Sequence, residues 1–151
     1  MTNIDRIKLQ RHAVEALKGL EGVEQILGRS ALDAGLRHLV KLRASQINGC
    51  AFCVDMHTRE ARQDGETTVR LDRLVVWRDV DCFTAAERAA LAWTEAVTRL
   101  DDRSELERLR GTLTAHFNDE EIGALTVAIA MINVWNRLQI ASHSDRQALA
   151  A

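Results

Sequence analysis

Two cysteines and a histidine mark the part of this chain able to do chemistry. They lie in Asn48-Gly49-Cys50-Ala51-Phe52-Cys53-Val54-Asp55-Met56-His57, a C-x-x-C with a histidine four residues after its second cysteine. Everything after Gly49 reads as helix as far as Asp64-Gly65. On a helix, positions 50, 53 and 57 fall at roughly 0°, 300° and 340°, all on one face. The first turn of a helix carries unpaired N–H groups and the positive end of the dipole, and both favour thiolate. A free cysteine has a pKa of about 8.5, and such a setting commonly lowers it. The simplest chemistry is a dithiol that cycles to a disulfide.

His57 follows Cys53 by one turn, so an i,i+4 contact is natural and His57 is a candidate general base for the thiol. The dipole favours Cys50 as the low-pKa thiol, whereas His57 favours Cys53; spacing alone leaves that choice open. Zinc sites use the same C-x-x-C spacing, but a structural zinc needs four ligands. Cys50, Cys53 and His57 supply three, with His12, His38, His116, His143 or Cys82 as a fourth. A bound metal is therefore the lesser reading. His38, twelve residues before Cys50, either faces back toward the cysteines to relay protons or is solvated beside Arg37 and Lys41. Asn133 and Asn136 read as structural amides bonded to neighbouring backbone, because buried amides need partners. Trp77, Trp93 and Trp135 read as core or interface anchors. Cys82 reads as a loop residue with no base nearby. Arg59 to Arg62 and Glu105 to Arg110 read as solvated helix faces.

The elements that must position these residues are helices. The chain has 151 residues, no proline and no tyrosine, and 46% of it is hydrophobic. That composition indicates an all-α fold in one domain, 1–151, and the helix starts and stops divide it into six to seven helices. A first helix is expected from Asp5 to Leu27, with a break near Gly19 and Gly22. A second is expected from Leu32 to Ile47, stopped by Asn48-Gly49, and the cysteine helix from Cys50 to Gln63. Thr67 to Trp77 should bury Leu71, Leu74 and Val75. Thr84 to Glu87 and Ser104 to Glu107 have the capping-box pattern, and Asn118 to Glu121 caps the last helix. That helix, to about Ser142, is apolar nearly all round from Ile122 to Val134, so it is central or buried between copies. The tail after Ser142 is polar.

The formal charge of −2, with both signs interspersed, gives no nucleic-acid footprint. Met1 to Gln10 does not read as a signal peptide. The longest uninterrupted apolar run, Val127 to Ile132, is far below the roughly 18 residues of a membrane span. Three cysteines, one of them odd, fit a reducing cytoplasm better than a disulfide framework.

The cysteine segment, Arg43 to His57, resembles the core of the AhpD-like alkylhydroperoxidases of the carboxymuconolactone decarboxylase superfamily. The likeness continues through Glu60-Ala61-Arg62, Gly65-Glu66, Glu87 to Ala96 and Ile132 to Arg137, and it implies a domain core at about 30–140. The resemblance implies an all-helical fold, a homo-oligomer (trimer or hexamer) and a thiol-dependent peroxidase that reduces a small-molecule peroxide. By resemblance Cys53 is the peroxidatic cysteine, Cys50 the resolving one and His57 the relay histidine. The reductant would be an external dithiol, thioredoxin-like or a lipoylated protein, with no cofactor or metal. Two departures stand out. The family's relay glutamate, twelve residues before the first cysteine, is His38 here, and the histidine before the second cysteine is Phe52. If position 38 faces the cysteines, restoring glutamate there should raise turnover. Decarboxylases of the superfamily generally lack the cysteine pair. A disulfide reductase, or a non-catalytic stress-related binding protein of the same fold, is the alternative.

Overall fold

The computed structural model describes residues 7–142. Among these residues the chain forms eight α-helices and one 3₁₀ segment, with no strand. The helices are α1 (Leu9–His12), α2 (Val14–Gly28), α3 (Ala34–Asn48), α4 (Ala51–Gln63), α5 (Thr68–Arg73), α6 (Ala85–Arg99), α7 (Arg103–Leu113) and α8 (Asp119–Ser142); the 3₁₀ segment, Leu74–Asp79, follows α5. The His143 named above and the polar tail lie outside the described residues.

The all-α expectation holds, with more elements than the six to seven read from the sequence. The first helix breaks at Ala13 (φ −130°, ψ 34°) and runs unbroken through Gly19 and Gly22. A glycine inside a helix costs only about 1 kcal/mol against alanine, so packing elsewhere carries it. After Arg73 the chain tightens into the 3₁₀ segment, where side chains three apart share a face. Leu71, Leu74 and Trp77 therefore turn inward together, while Val75 is 55% exposed rather than buried. Thr84 and Glu87 form the expected reciprocal capping box. Asn118 and Glu121 do the same, each backbone N–H bonding the other's side chain at 2.9 Å. At α7 the cap is Asp102, not Ser104: its carboxylate accepts the Ser104 N–H at 2.9 Å. A charged acceptor two residues earlier competes better for the first free N–H groups of the helix.

Helix α3 is the hub, packing on α4, α6 and α8. One core cluster joins Leu36 and Val40 to Trp93, Leu113, Leu125 and Ile129. A second, around Leu39, Leu42, Ala61, Leu74, Trp77 and Leu91, seats α4 on α3. A smaller one, Leu27, Ala128 and Met131, holds α2 on α8. Leu39 is wholly buried, so truncating it to alanine would cost about 2–5 kcal/mol. By length and windowed hydropathy α8 could cross a membrane, which the uninterrupted-run criterion misses. Here α2, α3, α4 and α6 all pack against it, as a central helix requires.

Candidate active site

The turn that presents the cysteines is built by the backbone. Gly49 (φ +69°) ends α3 in the left-handed conformation, where any side chain would be strained. Its N–H donates to the Gln46 carbonyl at 3.3 Å, and the Cys50 N–H donates to the Ser45 carbonyl at 3.1 Å. These two bonds satisfy two of the last four carbonyls of α3, those of Ser45 and Gln46. Cys50 is therefore both the end of that closing motif and the N-cap of α4, with extended backbone (φ −83°, ψ 96°). It lies one residue outside the helix that the sequence assigned it to. Its carbonyl accepts the Val54 N–H at 2.9 Å, so it still closes the first turn.

Cys50 and Cys53 are joined by a disulfide, with Cα atoms 5.3 Å apart. That separation is within the range such a bond spans. Both are buried, at 2% and 1% exposure. Cys53 borders a cavity of about 320 Å³. Phe52, Met56 and Trp135 form its apolar wall; His57, Glu60, Glu24, Lys41 and Gln139 complete it. Cys50 is not in that lining, so a molecule in the cavity meets Cys53 first.

His57, 4% exposed, also lines the cavity. Its Nδ1 sits 2.9 Å from Glu60 Oε2. That hydrogen bond is the main reason the Glu60 carboxyl is held below its ordinary value of 4.5; partial burial opposes it, and the charges of His57, Lys41 and His38 reinforce it. Lys41 Nζ pairs with Glu24 Oε2 at 2.5 Å, and the Trp135 indole N–H donates to Glu24 Oε1 at 3.1 Å. These bonds tie α2, α3 and α8 together around the cavity. His38 is not in the cavity lining. Its Nε2 lies 2.6 Å from Asp64 Oδ2, at the end of α4.

The α8 amides hold the cysteine turn from behind. Asn48 Nδ2 donates to both Asn133 Oδ1 and Asn136 Oδ1 at 2.9 Å. Asn136 Nδ2 donates to Ser45 Oγ at 3.0 Å, and Asn133 Nδ2 to Thr98 Oγ1 at 3.0 Å and to the Ile129 carbonyl at 2.9 Å. The amides are satisfied mostly by other side chains, not by neighbouring backbone as the sequence suggested. Farther along α3, Arg43 donates to the buried Glu95 at 2.8 Å; Glu95 also accepts from Trp77, Arg78 and Arg99. Burial pushes the Glu95 carboxyl up, but the bonds from Trp77, Arg78 and Arg43 outweigh it and hold the group below its ordinary value of 4.5.

Of the residues singled out from sequence, Cys53 and His57 share the cavity, Cys50 stands behind Cys53, and His38 points to Asp64. Cys82 is half-buried and free, with its carbonyl accepting from Arg70. Trp77 and Trp93 are core residues, whereas Trp135 is a half-buried wall of the cavity. The described residues hold no cluster of three or more His, Cys, Asp or Glu placed to hold a metal. Sequence reasoning missed Glu60, which it placed on a solvated face, and also Glu24, Lys41 and Asn48. The i,i+3 spacing of His57 and Glu60 was the one available signal; the other contacts join distant segments.

The all-helical fold is AhpD-like, and this chain carries on it a paired C-x-x-C at a helix start, beside a cavity that His57 lines. The chain belongs to the carboxymuconolactone decarboxylase family, whose pattern it matches over residues 12–96. It is 36% identical to the uncharacterized protein YdfG of Bacillus subtilis (strain 168), over 90% of this chain and 92% of that one. The crystal structure of a protein of unknown function from Agrobacterium tumefaciens, named as a candidate antioxidant defence protein AhpD, superposes with a TM-score of 0.88 at 43% identity. That match covers 93% of this chain and 97% of the other. An uncharacterized peroxidase-related protein from Silicibacter sp. TM1040 gives a TM-score of 0.72 at 26% identity, over 86% and 69% of the two chains.

Proposed function

We propose that this protein is a thiol-dependent peroxidase that works through a Cys50/Cys53 dithiol–disulfide cycle. The observation that carries the reading is a disulfide-forming pair whose second cysteine opens, with His57, on one cavity. In the reduced protein the Cys53 thiol gives its proton to His57. The thiolate attacks the peroxide; an S–O bond forms as the O–O bond breaks, and the departing alkoxide takes the proton back from His57. The thiol of Cys50 then condenses with the Cys53 sulfenic acid, releasing water and forming the disulfide. An external dithiol, thioredoxin-like or lipoylated, gives up two electrons and two protons to restore both thiols. A buried disulfide reached through a small cavity suits a slender dithiol arm.

A cycle that ends in reduction by a dithiol pool belongs in a reducing compartment, in keeping with a cytoplasmic protein. A homo-oligomer, trimer or hexamer, is part of the same reading. Its support is the apolar side chains left exposed on α2, the 3₁₀ segment and α8, among them Ile26, Val76 and Val127. Peroxide consumption with dithiothreitol as reductant is the test. Wild type should consume cumene hydroperoxide well above the rate of the free dithiol, and Cys53→Ser should not. Equal rates for the two proteins would sink the reading; turnover of small disulfides without peroxide consumption would favour a disulfide reductase.

A further inference from the structure

His57 has a carboxylate partner on its own helix. Glu60 lies one turn on, with Oε2 2.9 Å from His57 Nδ1. An ionised carboxylate can only accept a hydrogen bond, so Nδ1 must carry the proton. A neutral imidazole so fixed has its lone pair on Nε2. At position 38, where the AhpD-like relay has its glutamate, the chain has a histidine bonded to Asp64 at 2.6 Å. The only carboxylate bonded to His57 among the described residues is therefore that of Glu60.

We propose that Glu60 is the positioning residue of the site: it fixes His57 with Nδ1 protonated and Nε2 ready to take the Cys53 proton, and so replaces from α4 the relay carboxylate that α3 lacks. This role rests on Cys53 as the reactive thiol of the cycle. When Nε2 takes the proton, the resulting imidazolium stays bonded to a negative partner, and the proton is returned to the alkoxide after the O–O bond breaks.

The surroundings keep Glu60 ionised. The hydrogen bond from His57 is the largest influence, and Lys41 and His38 from α3 add positive charge. Asp64, on the same helix, is occupied by His38, and Glu24 from α2 by Lys41. From α8 the cavity receives Trp135 and Gln139, which do not titrate. The Glu60 side chain is 45% exposed, so its substitution leaves the packed core intact.

The test uses the reduced, full-length protein and two readouts that need no peroxide. Nitrogen-15 NMR of the His57 ring, assigned by its loss in His57→Gln, reports which nitrogen carries the proton. Alkylation of Cys53 by iodoacetamide across pH 5–10, read on the Cys53 peptide by mass spectrometry in a Cys50→Ser background, reports the thiolate. Wild type should show His57 protonated at Nδ1. Glu60→Ala should lose that tautomer and slow Cys53 alkylation at pH 7 by about 10–100-fold, a cost like that of removing the carboxylate partner of a metal-ligating histidine. The rate should recover as pH passes the ordinary thiol value of about 8.5. Glu60→Gln, which keeps an acceptor for Nδ1–H, should retain the tautomer. A neutral His57 ring in wild type with its proton on Nε2 and none on Nδ1, or alkylation profiles that coincide in wild type and Glu60→Ala, would overturn the role. Peroxide consumption by wild type, measured separately, decides the peroxidase reading. An inactive wild type with a Glu60-dependent tautomer and profile removes that reading and leaves the positioning role in place.

Discussion

Asn48 Nδ2 lies 2.9 Å from Asn136 Oδ1, across 88 residues of chain, and ties the turn that presents Cys50 to the C-terminal half of α8. The link matters because the cysteines sit at the junction of α3 and α4, and Asn48 is the last residue of α3. Asn136 is wholly buried and bonded at both amide atoms, accepting from Asn48 and donating to Ser45.

Asn136→Ala should therefore destabilise the protein by about 1–3 kcal/mol, because it removes two buried hydrogen bonds and leaves Asn48 held by Asn133 alone and Ser45 by the Lys41 carbonyl alone. It should also slow disulfide formation between Cys50 and Cys53 by loosening their turn. Urea midpoints and the rate of thiol loss under mild oxidant measure the two effects. A midpoint equal to that of wild type would show that the network contributes nothing.

The cysteine roles separate in the single variants. Cys50→Ser should react once with peroxide and stop at a sulfenic acid on Cys53 that dimedone traps; Cys53→Ser should give no such adduct. His57→Ala should slow the first step at pH 7 by about 10²–10⁴-fold. A dimedone label on Cys50 in Cys53→Ser, with none on Cys53 in Cys50→Ser, would reverse the assignment.

His38→Glu restores the family's residue but not its surroundings. The new carboxylate would lie beside Asp64, now 2.6 Å from the His38 ring, and near Glu60. Like charges that close repel. Peroxide turnover should stay flat, and the thermal midpoint should fall at pH 7 more than at pH 4, where carboxylates begin to protonate. A rise in turnover would mean that position 38 reaches the cavity.

Acid stability should follow Glu95. Its carboxyl in the folded protein lies below the ordinary value of 4.5, so the unfolded chain takes up a proton first. The stabilisation is complete above about pH 4.5 and is lost as pH falls through the folded value. Glu95→Gln should cost about 3–5 kcal/mol at pH 7, because the charge of Arg43 is left buried without its counter-charge, with only neutral acceptors such as Gln46 around it. Its stability should then fall less steeply than wild type below pH 4.5. Parallel curves for the two proteins, followed by circular dichroism, would exclude Glu95 as the cause.

Local chemistry made much of this protein legible in its sequence. The absence of proline, the capping pairs Thr84/Glu87 and Asn118/Glu121, and the Asn48-Gly49 stop each act within a turn or two, so spacing alone located them. The C-x-x-C and its histidine belong to the same class: consecutive turns of one helix bring Cys53 and His57 to one cavity. Tertiary structure decided the rest. His38 could have faced the cysteines or solvent, and the approach of Asp64 from the far end of α4 settled its direction. The Glu95 cluster, the Asn48–Asn136 bond and the joining of Glu24 to Lys41 and Trp135 all link segments far apart in sequence. Helical periodicity says which face of a helix is apolar, but not which polar group on another helix will meet it. That pairing depends on how α2, α3, α4 and α8 pack, and it is what surrounds the cysteine pair with a shaped and charged cavity.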